Sequence, residues 1–122
     1  MTGDRFTVED RPEQSRYVLL DHESGTGEPA EIGEESYVDV TGVSGPDRRV
    51  LFHTGVSDDY TGQGLASVLV RAAVEDVIAG GRLIVPVCPY VKTWLPKHPQ
   101  YADHVTAVLR EHLRAVREQQ AG

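Results

Sequence analysis

The chain has 122 residues, 39% hydrophobic and 25% charged, which suits one globular domain of about 100–200 residues and excludes a two-domain enzyme and gross disorder. Twelve Lys and Arg against nineteen Asp and Glu leave a net charge of -7. Such a surface repels duplex nucleic acid and anionic membranes, whose capture depends on clustered basic residues.

Met1 to Arg11 alternates polar and apolar residues and holds no apolar core of the secretory type. The first strand is expected at Arg16–Asp21. A turn follows over His22 to Pro29, where Gly25-Thr26-Gly27 supplies positive φ angles. The return strand runs from about Ala30 to Val40, with a bulge signalled at Gly33. Ser44-Gly45-Pro46-Asp47 marks a second turn before a third strand at about Arg49 to Val56.

At Leu65 the period changes from two to helical. Leu65, Val68, Leu69, Ala72, Ala73 and Val77 recur on one face, widened by Ala66, Val70, Val74 and Ile78, as in a helix packed on a sheet. Gly80-Gly81 stops it. Leu83 to Cys88 is a continuous apolar run that reads as a buried parallel strand, in which Pro86 requires an unpaired neighbour. This run is also the longest apolar one, far short of the roughly 18 residues that span a membrane. Pro89 opens a short helix to about Leu95, and a last helix is expected from about Ala102 to Glu118, with Val105, Val108, Leu109, His112, Leu113 and Val116 as its inner stripe. The order β-β-β-α-β-α-α describes an α/β mixed sheet in a single domain over residues 1–122. Cys88, the one cysteine, excludes an internal disulfide and suits a reducing, cytoplasmic location.

The stretch His53 to Ala66 places a glycine-rich loop between a strand and a helix, where unpaired N–H groups and the positive end of the helix dipole can hold a phosphate. A turn that merely needs glycine is the competing reading. The P-loop pattern is absent, and the dinucleotide fingerprint fails at Ser67. The histidines His22, His53, His98, His104 and His112 have no metal-ligand spacing, so no metal is expected.

Four motifs in order resemble a known family. They are His53-Thr54-Gly55-Val56, Gly62-Gln63-Gly64-Leu65-Ala66, Pro86-Val87-Cys88-Pro89-Tyr90-Val91 and His98-Pro99-Gln100-Tyr101. Together they are similar to a small single-domain group of the GNAT N-acetyltransferases, over about Arg16 to Tyr101. The family motif Gln/Arg-x-x-Gly-x-Gly/Ala falls on Asp59-Tyr60-Thr61-Gly62-Gln63-Gly64, with Asp59 in place of the usual first residue.

The resemblance implies a GNAT-like mixed sheet of four to five strands flanked by helices, without the two last strands of the full fold. It also implies acetyl-CoA as cosubstrate, gripped by Thr54, Gly55 and Val56 at the strand end, then by Tyr60, Thr61, Gly62, Gln63, Gly64, Leu65 and Ala66. The Val56 N–H would meet the thioester oxygen. Acetyl would pass to a primary amine of a small molecule or protein, directly or through Cys88.

Chemically, His53 suits a general base or packs in the core. Cys88 suits a nucleophile, a contact to the CoA sulfur, or a buried inert thiol. Tyr90 suits a general acid or packs. Trp94 reads as core, and Lys92 reaches a phosphate only if it faces the loop. Two non-enzymatic alternatives stand beside transfer: an acyl-CoA-binding module, and an interaction domain, such as a homodimer, built on the last helix.

Overall fold

The computed structural model describes residues 4–25 and 27–121. Thr26 in the first turn, and residues 1–3 and 122 at the ends of the expected domain, lie outside the described residues. The elements are β1 (Phe6–Arg11), β2 (Arg16–Asp21), β3 (Ala30–Val40), β4 (Arg48–Val56), α1 (Leu65–Ala79), β5 (Leu83–Pro86), α2 (Pro89–Trp94) and α3 (Arg110–Ala121). They form a mixed α/β fold around one five-stranded sheet in the order β1-β2-β3-β4-β5. The first four strands are antiparallel neighbours, and β5 joins β4 in parallel through α1.

Side chains alternate across a strand, so each strand serves two layers. On one face Tyr17, Leu19, Tyr37, Leu51 and Ile84 pack with Leu69, Val70, Ala73 and Val77 of α1 and Val91 and Trp94 of α2. On the other, Val50 and Val85 pack with Val116 of α3, and Phe52 lies against them. Arg49 enters the first layer as a nearly buried charge. Its guanidinium donates twice to Asp39, at 2.7 and 2.9 Å, and to the Tyr17 hydroxyl at 2.7 Å, and it lies 3.8 Å from the Tyr37 ring centroid. The Tyr17 hydroxyl donates on to Asp76 at 2.7 Å, tying α1 to the sheet. A buried cation requires such pairing.

Gly25 and Gly27 have φ of 91° and 84°, the left-handed values the first turn requires. The end of α1 is also as read: Gly81 has φ 75°, and the N–H of Arg82 reaches back to the Val77 carbonyl at 3.1 Å, satisfying the last turn.

Several expectations are corrected. Residues 6–11 form a strand that the reading omitted, paired with β2 along its whole length. The alternation Phe6, Val8, Asp10 was a sheet signal: Phe6 and Val8 pack against the core. Val68 points outward from α1 at 43% exposure.

β5 ends at Pro86 rather than Cys88, because the N–H groups of Val87 and Cys88 both turn to the Leu51 carbonyl, at 3.1 and 2.9 Å. The last helix begins at Arg110, not Ala102. Pro99–His104 is a 3-10 turn, and the chain then lies along the outer side of β5, where Val105 bridges Ile84 and the Thr106 N–H reaches the Ile84 carbonyl at 2.9 Å. Sheet pairing thus captures the residues that helical spacing had claimed. On α3 itself His112 and Val116 are buried, while Leu113, like Leu109 just before the helix, stays exposed.

Candidate functional site

The centre of interest is where β4 and β5 part. Their parallel ladder runs from Arg48↔Leu83 to Leu51↔Pro86 and goes no further, so the rest of β4, residues 52–56, keeps only its pairing with β3. Within that stretch the register slips: Ser36 faces His53 but Tyr37 faces Leu51, so Phe52 and His53 together oppose one residue of β3. This is a bulge in β4. A bulge re-aims the side chains that follow it.

The consequence is a division of labour between the faces. Thr54 turns to the α1 and α2 side, where its Oγ1 lies 3.0 Å from Cys88 Sγ and donates to the Glu35 carboxylate. His53 turns to the α3 side and lines a 400 Å³ cleft with Ser36, Phe52, Gln119 and Gln120. Its side chain is half exposed, with Nε2 3.6 Å from Glu34. Cys88 and His53 are therefore not brought together. A Cβ on Gly55 would stand 3.2 Å from His53 Nε2, a tight contact with the tip of a half-exposed side chain. Gly55 and Val56 also line a 350 Å³ cleft with Gly33, Glu34 and Arg16.

Cys88 is 3% exposed and caps α2, whose first residue is Pro89. Beneath it sits a residue that the sequence reading passed over. Glu35 is completely buried, and its Oε2 has no hydrogen-bond partner. Burial pushes its carboxyl up to about 8, with Glu34 adding in the same direction, against the pull of the Thr54 hydroxyl and the His53 N–H. At neutral pH this side chain is mostly a carboxylic acid. Its position within Glu34-Glu35-Ser36 looks like an ordinary polar run. Only the parity shared with Tyr37 in a half-buried strand hints that it turns inward.

Beyond β4 the chain makes a 3-10 turn at Asp58–Tyr60. The Tyr60 hydroxyl donates to Asp21, which Arg5 grips at 2.9 and 3.1 Å. These two partners, Arg5 first, hold the Asp21 carboxyl far below the usual range. Tyr60 thus anchors the glycine loop to the end of β2.

Thr61 closes the turn by donating to the Asp58 carbonyl at 2.8 Å. Gly62 and Gly64 then take φ of 86° and 70°, with open space where a Cβ would project. Gly64 caps α1 without any side-chain bond to the helix, and the Val68 N–H is the first to reach back, to the Gly64 carbonyl at 3.4 Å. The N–H groups of Leu65, Ala66 and Ser67 in the first turn have no such helical acceptor. Leu65 is core, and Gln63 and Ala66 border the loop.

On α2, Tyr90 is 37% exposed, and Lys92 is exposed too. Trp94 packs inward, its Nε1 donating to Ser67 at 2.8 Å and its ring stacked 3.8 Å from His98. That contact joins α2 to the first turn of α1. The loop and helix start fit an anionic group: the first-turn N–H groups lack a helical acceptor and no side chain caps them, while Asp58 and Asp59 keep their carboxylates in the preceding turn. Among the described residues no group of three or more His, Cys, Asp or Glu side chains is placed to hold a metal ion, and no helix is long and apolar enough to cross a membrane.

Comparison with known proteins bears on this arrangement. A family profile described as GCN5-related N-acetyl-transferase matches residues 16–104. A sequence search of curated proteins finds no match. Among solved structures, a GCN5-like protein of Staphylococcus aureus is similar in fold, with a TM-score of 0.57 and 24% identity over 89% of this chain and 96% of that one. A chain of the NatC complex bound to Gag peptide and CoA has a TM-score of 0.50 and 26% identity, over 60% of this chain and 45% of its own. An acetyltransferase of Trypanosoma brucei has a TM-score of 0.50 and 17% identity over 82% and 68%.

Proposed function

The chain belongs to the GCN5-related N-acetyltransferase family, and from that premise we propose that it transfers acetyl from acetyl-CoA to a primary amine of a small molecule or protein. The observation that carries this reading is the early parting of β4 from β5 at Leu51, with uncapped backbone donors at Gly62 to Ala66 directly beyond. A thioester with an extended amide arm and a pyrophosphate asks for those two features together: a free strand edge and an anion-binding turn.

Acetyl-CoA supplies an activated acyl group when bound. The remaining work falls to the chain. The loop N–H groups and the first turn of α1 hold the pyrophosphate, and Tyr60, fixed to Asp21, keeps the loop in place. Thr54, Gly55 and Val56 receive the arm along the edge that β5 leaves free, and the Val56 N–H stabilises the developing oxyanion.

Amine acetylation requires a neutral nucleophile, whereas an alkyl amine is protonated up to about pH 10. His53, half exposed beside Glu34, takes that proton as general base from the α3 face. Cys88 and Tyr90 serve the departing sulfur on the opposite face. A net charge of -7 favours a cationic acceptor.

Acetyl-CoA at about 100 times its dissociation constant stabilises a native state that alone binds it by roughly 2.7 kcal/mol, a shift on the order of ten degrees in melting temperature at this size. No shift removes the reading. Binding without acetyl transfer to any member of an amine panel leaves a CoA-binding module, the alternative reading. Loss of transfer in both Cys88→Ala and Cys88→Ser assigns the thiol a role, and unchanged rates in both remove it.

A further inference from the structure

Three side chains from three elements stand in a row beneath the point where the sheet opens: Glu35 of β3, Thr54 of β4 and Cys88 at the head of α2. Thr54 Oγ1 hydrogen-bonds the Glu35 carboxylate and lies 3.0 Å from Cys88 Sγ. Glu35 has no exposed surface and Cys88 only 3%. The Glu35 Oε2 has no partner, so the carboxyl communicates with its surroundings chiefly through Thr54. A threonine hydroxyl carries one proton and two lone pairs; it donates to one neighbour while accepting from the other. The row therefore has two arrangements with the same number of protons, carboxylate with thiol and carboxylic acid with thiolate. Moving one proton between Sγ and Oγ1, and another between Oγ1 and the carboxyl oxygen, converts one into the other.

We propose that Glu35 is the proton reservoir of the Cys88 thiol, exchanging a proton with it through the Thr54 hydroxyl. Its use in acetyl transfer rests on the reading above. There Cys88 breaks its S–H bond to protonate the departing sulfur of the cosubstrate. Thr54 then gives its hydroxyl proton to Cys88 and takes the proton of the Glu35 carboxylic acid. The negative charge moves from the cosubstrate's sulfur to Glu35, and neither oxidant nor reductant is required.

Glu35 is mostly protonated at neutral pH because it is buried, which suits a donor. The groups acting on it are the Thr54 hydroxyl, the His53 N–H and the Glu34 carboxylate, which opposes its ionisation. The elements packed around the row offer apolar side chains, Leu65 and Leu69 of α1 and Val91 and Trp94 of α2. Tyr17 of β2 spends its hydroxyl on Asp76 and Arg49. Tyr90 and Lys92 of α2 are exposed. Glu35 acts only through Thr54 and Cys88, which makes it a positioning residue.

The chain has a single cysteine, so the thiolate's ultraviolet absorbance, read against Cys88→Ser, reports Cys88 alone. The titration is run without acetyl-CoA on wild type, Glu35→Gln, Thr54→Val and Thr54→Ser. In wild type the thiolate is expected to form in two steps, because the ionised carboxylate opposes it. Glu35→Gln should give one step, with an ionisation constant at least tenfold larger than that of the wild-type upper step. Thr54→Val should lower the constant at least tenfold by removing the hydroxyl donor, and Thr54→Ser should restore it. A Glu35→Gln curve coinciding with wild type overturns the relay, as does a Thr54→Val curve that does so. Either result leaves the acetyl-transfer reading standing, whereas a missing acetyl-CoA thermal shift removes that reading and leaves the relay intact.

Discussion

Replacing Glu35 by glutamine keeps the size and the acceptor for Thr54 but removes the titration. The buried carboxyl has its pKa pushed up to about 8 from an ordinary value of 4.5. An acid whose folded pKa is raised contributes stability that is whole below the unfolded pKa and is lost as pH rises through the folded one. The window is therefore pH 4.5 to 8, and integrating over pH 5 to 8 with that shift gives a loss of about 3.5 kcal/mol in wild type.

Glu35→Gln carries no such proton. Its stability relative to wild type should rise by about the same amount over that range, at close to 1.4 kcal/mol per pH unit in the middle. Urea unfolding of both chains at pH 5, 6, 7 and 8, at one ionic strength, measures the difference directly. Titrating groups that are not coupled to Glu35 are common to the two chains and cancel. If the two stabilities run parallel, with the difference changing by less than about 1 kcal/mol, then Glu35 ionises freely and the reasoning from its burial is wrong.

Gly64→Ala places a side chain at φ 70° in open space, so the cost is backbone strain alone. We expect about 1–2 kcal/mol of lost stability in urea and a smaller thermal shift with acetyl-CoA. Ser67→Ala leaves the buried Trp94 N–H without its acceptor; the expected loss is about 1–3 kcal/mol, and the emission of the single tryptophan should change with it. Asp21→Asn loses the ion pair with Arg5. Since the Asp21 carboxyl is held below its usual value, its stabilisation is present above about pH 4 and fades as pH falls, so the gap between Asp21→Asn and wild type should narrow in acid, as followed by urea unfolding at pH 3 to 7.

Much of this architecture is written in local pattern. The run Leu83 to Cys88 follows a glycine-stopped helix, and that alone places a parallel strand beside β4. The glycines at 62 and 64 and the proline at 89 each answer a specific backbone need at a boundary. What stayed hidden depends on partners distant in the chain. Phe6 and Val8 look like an unremarkable polar-apolar alternation until β2 is laid alongside. Val105 and Val108 keep helical spacing, yet the open side of β5 draws that segment into an extended path.

The site divides in the same manner. Cys88 is legible from its place at a strand end. Glu35 is not, because its burial follows from strand parity alone, and the bulge at Phe52 and His53 that sets Thr54 beside it is announced by no residue type. That same bulge sends His53 to the face opposite Cys88.

The margins of the sheet carry a last consequence. β5 presents only four residues, ends in a proline, and already has Ile84 engaged by Val105 and Thr106. At the opposite margin β1 closes with Glu9, Asp10 and Arg11. A neighbouring molecule that tried to add its own strand would find too few free amides on one side and a charged row on the other. Both margins therefore disfavour pairing with a strand of a neighbouring molecule.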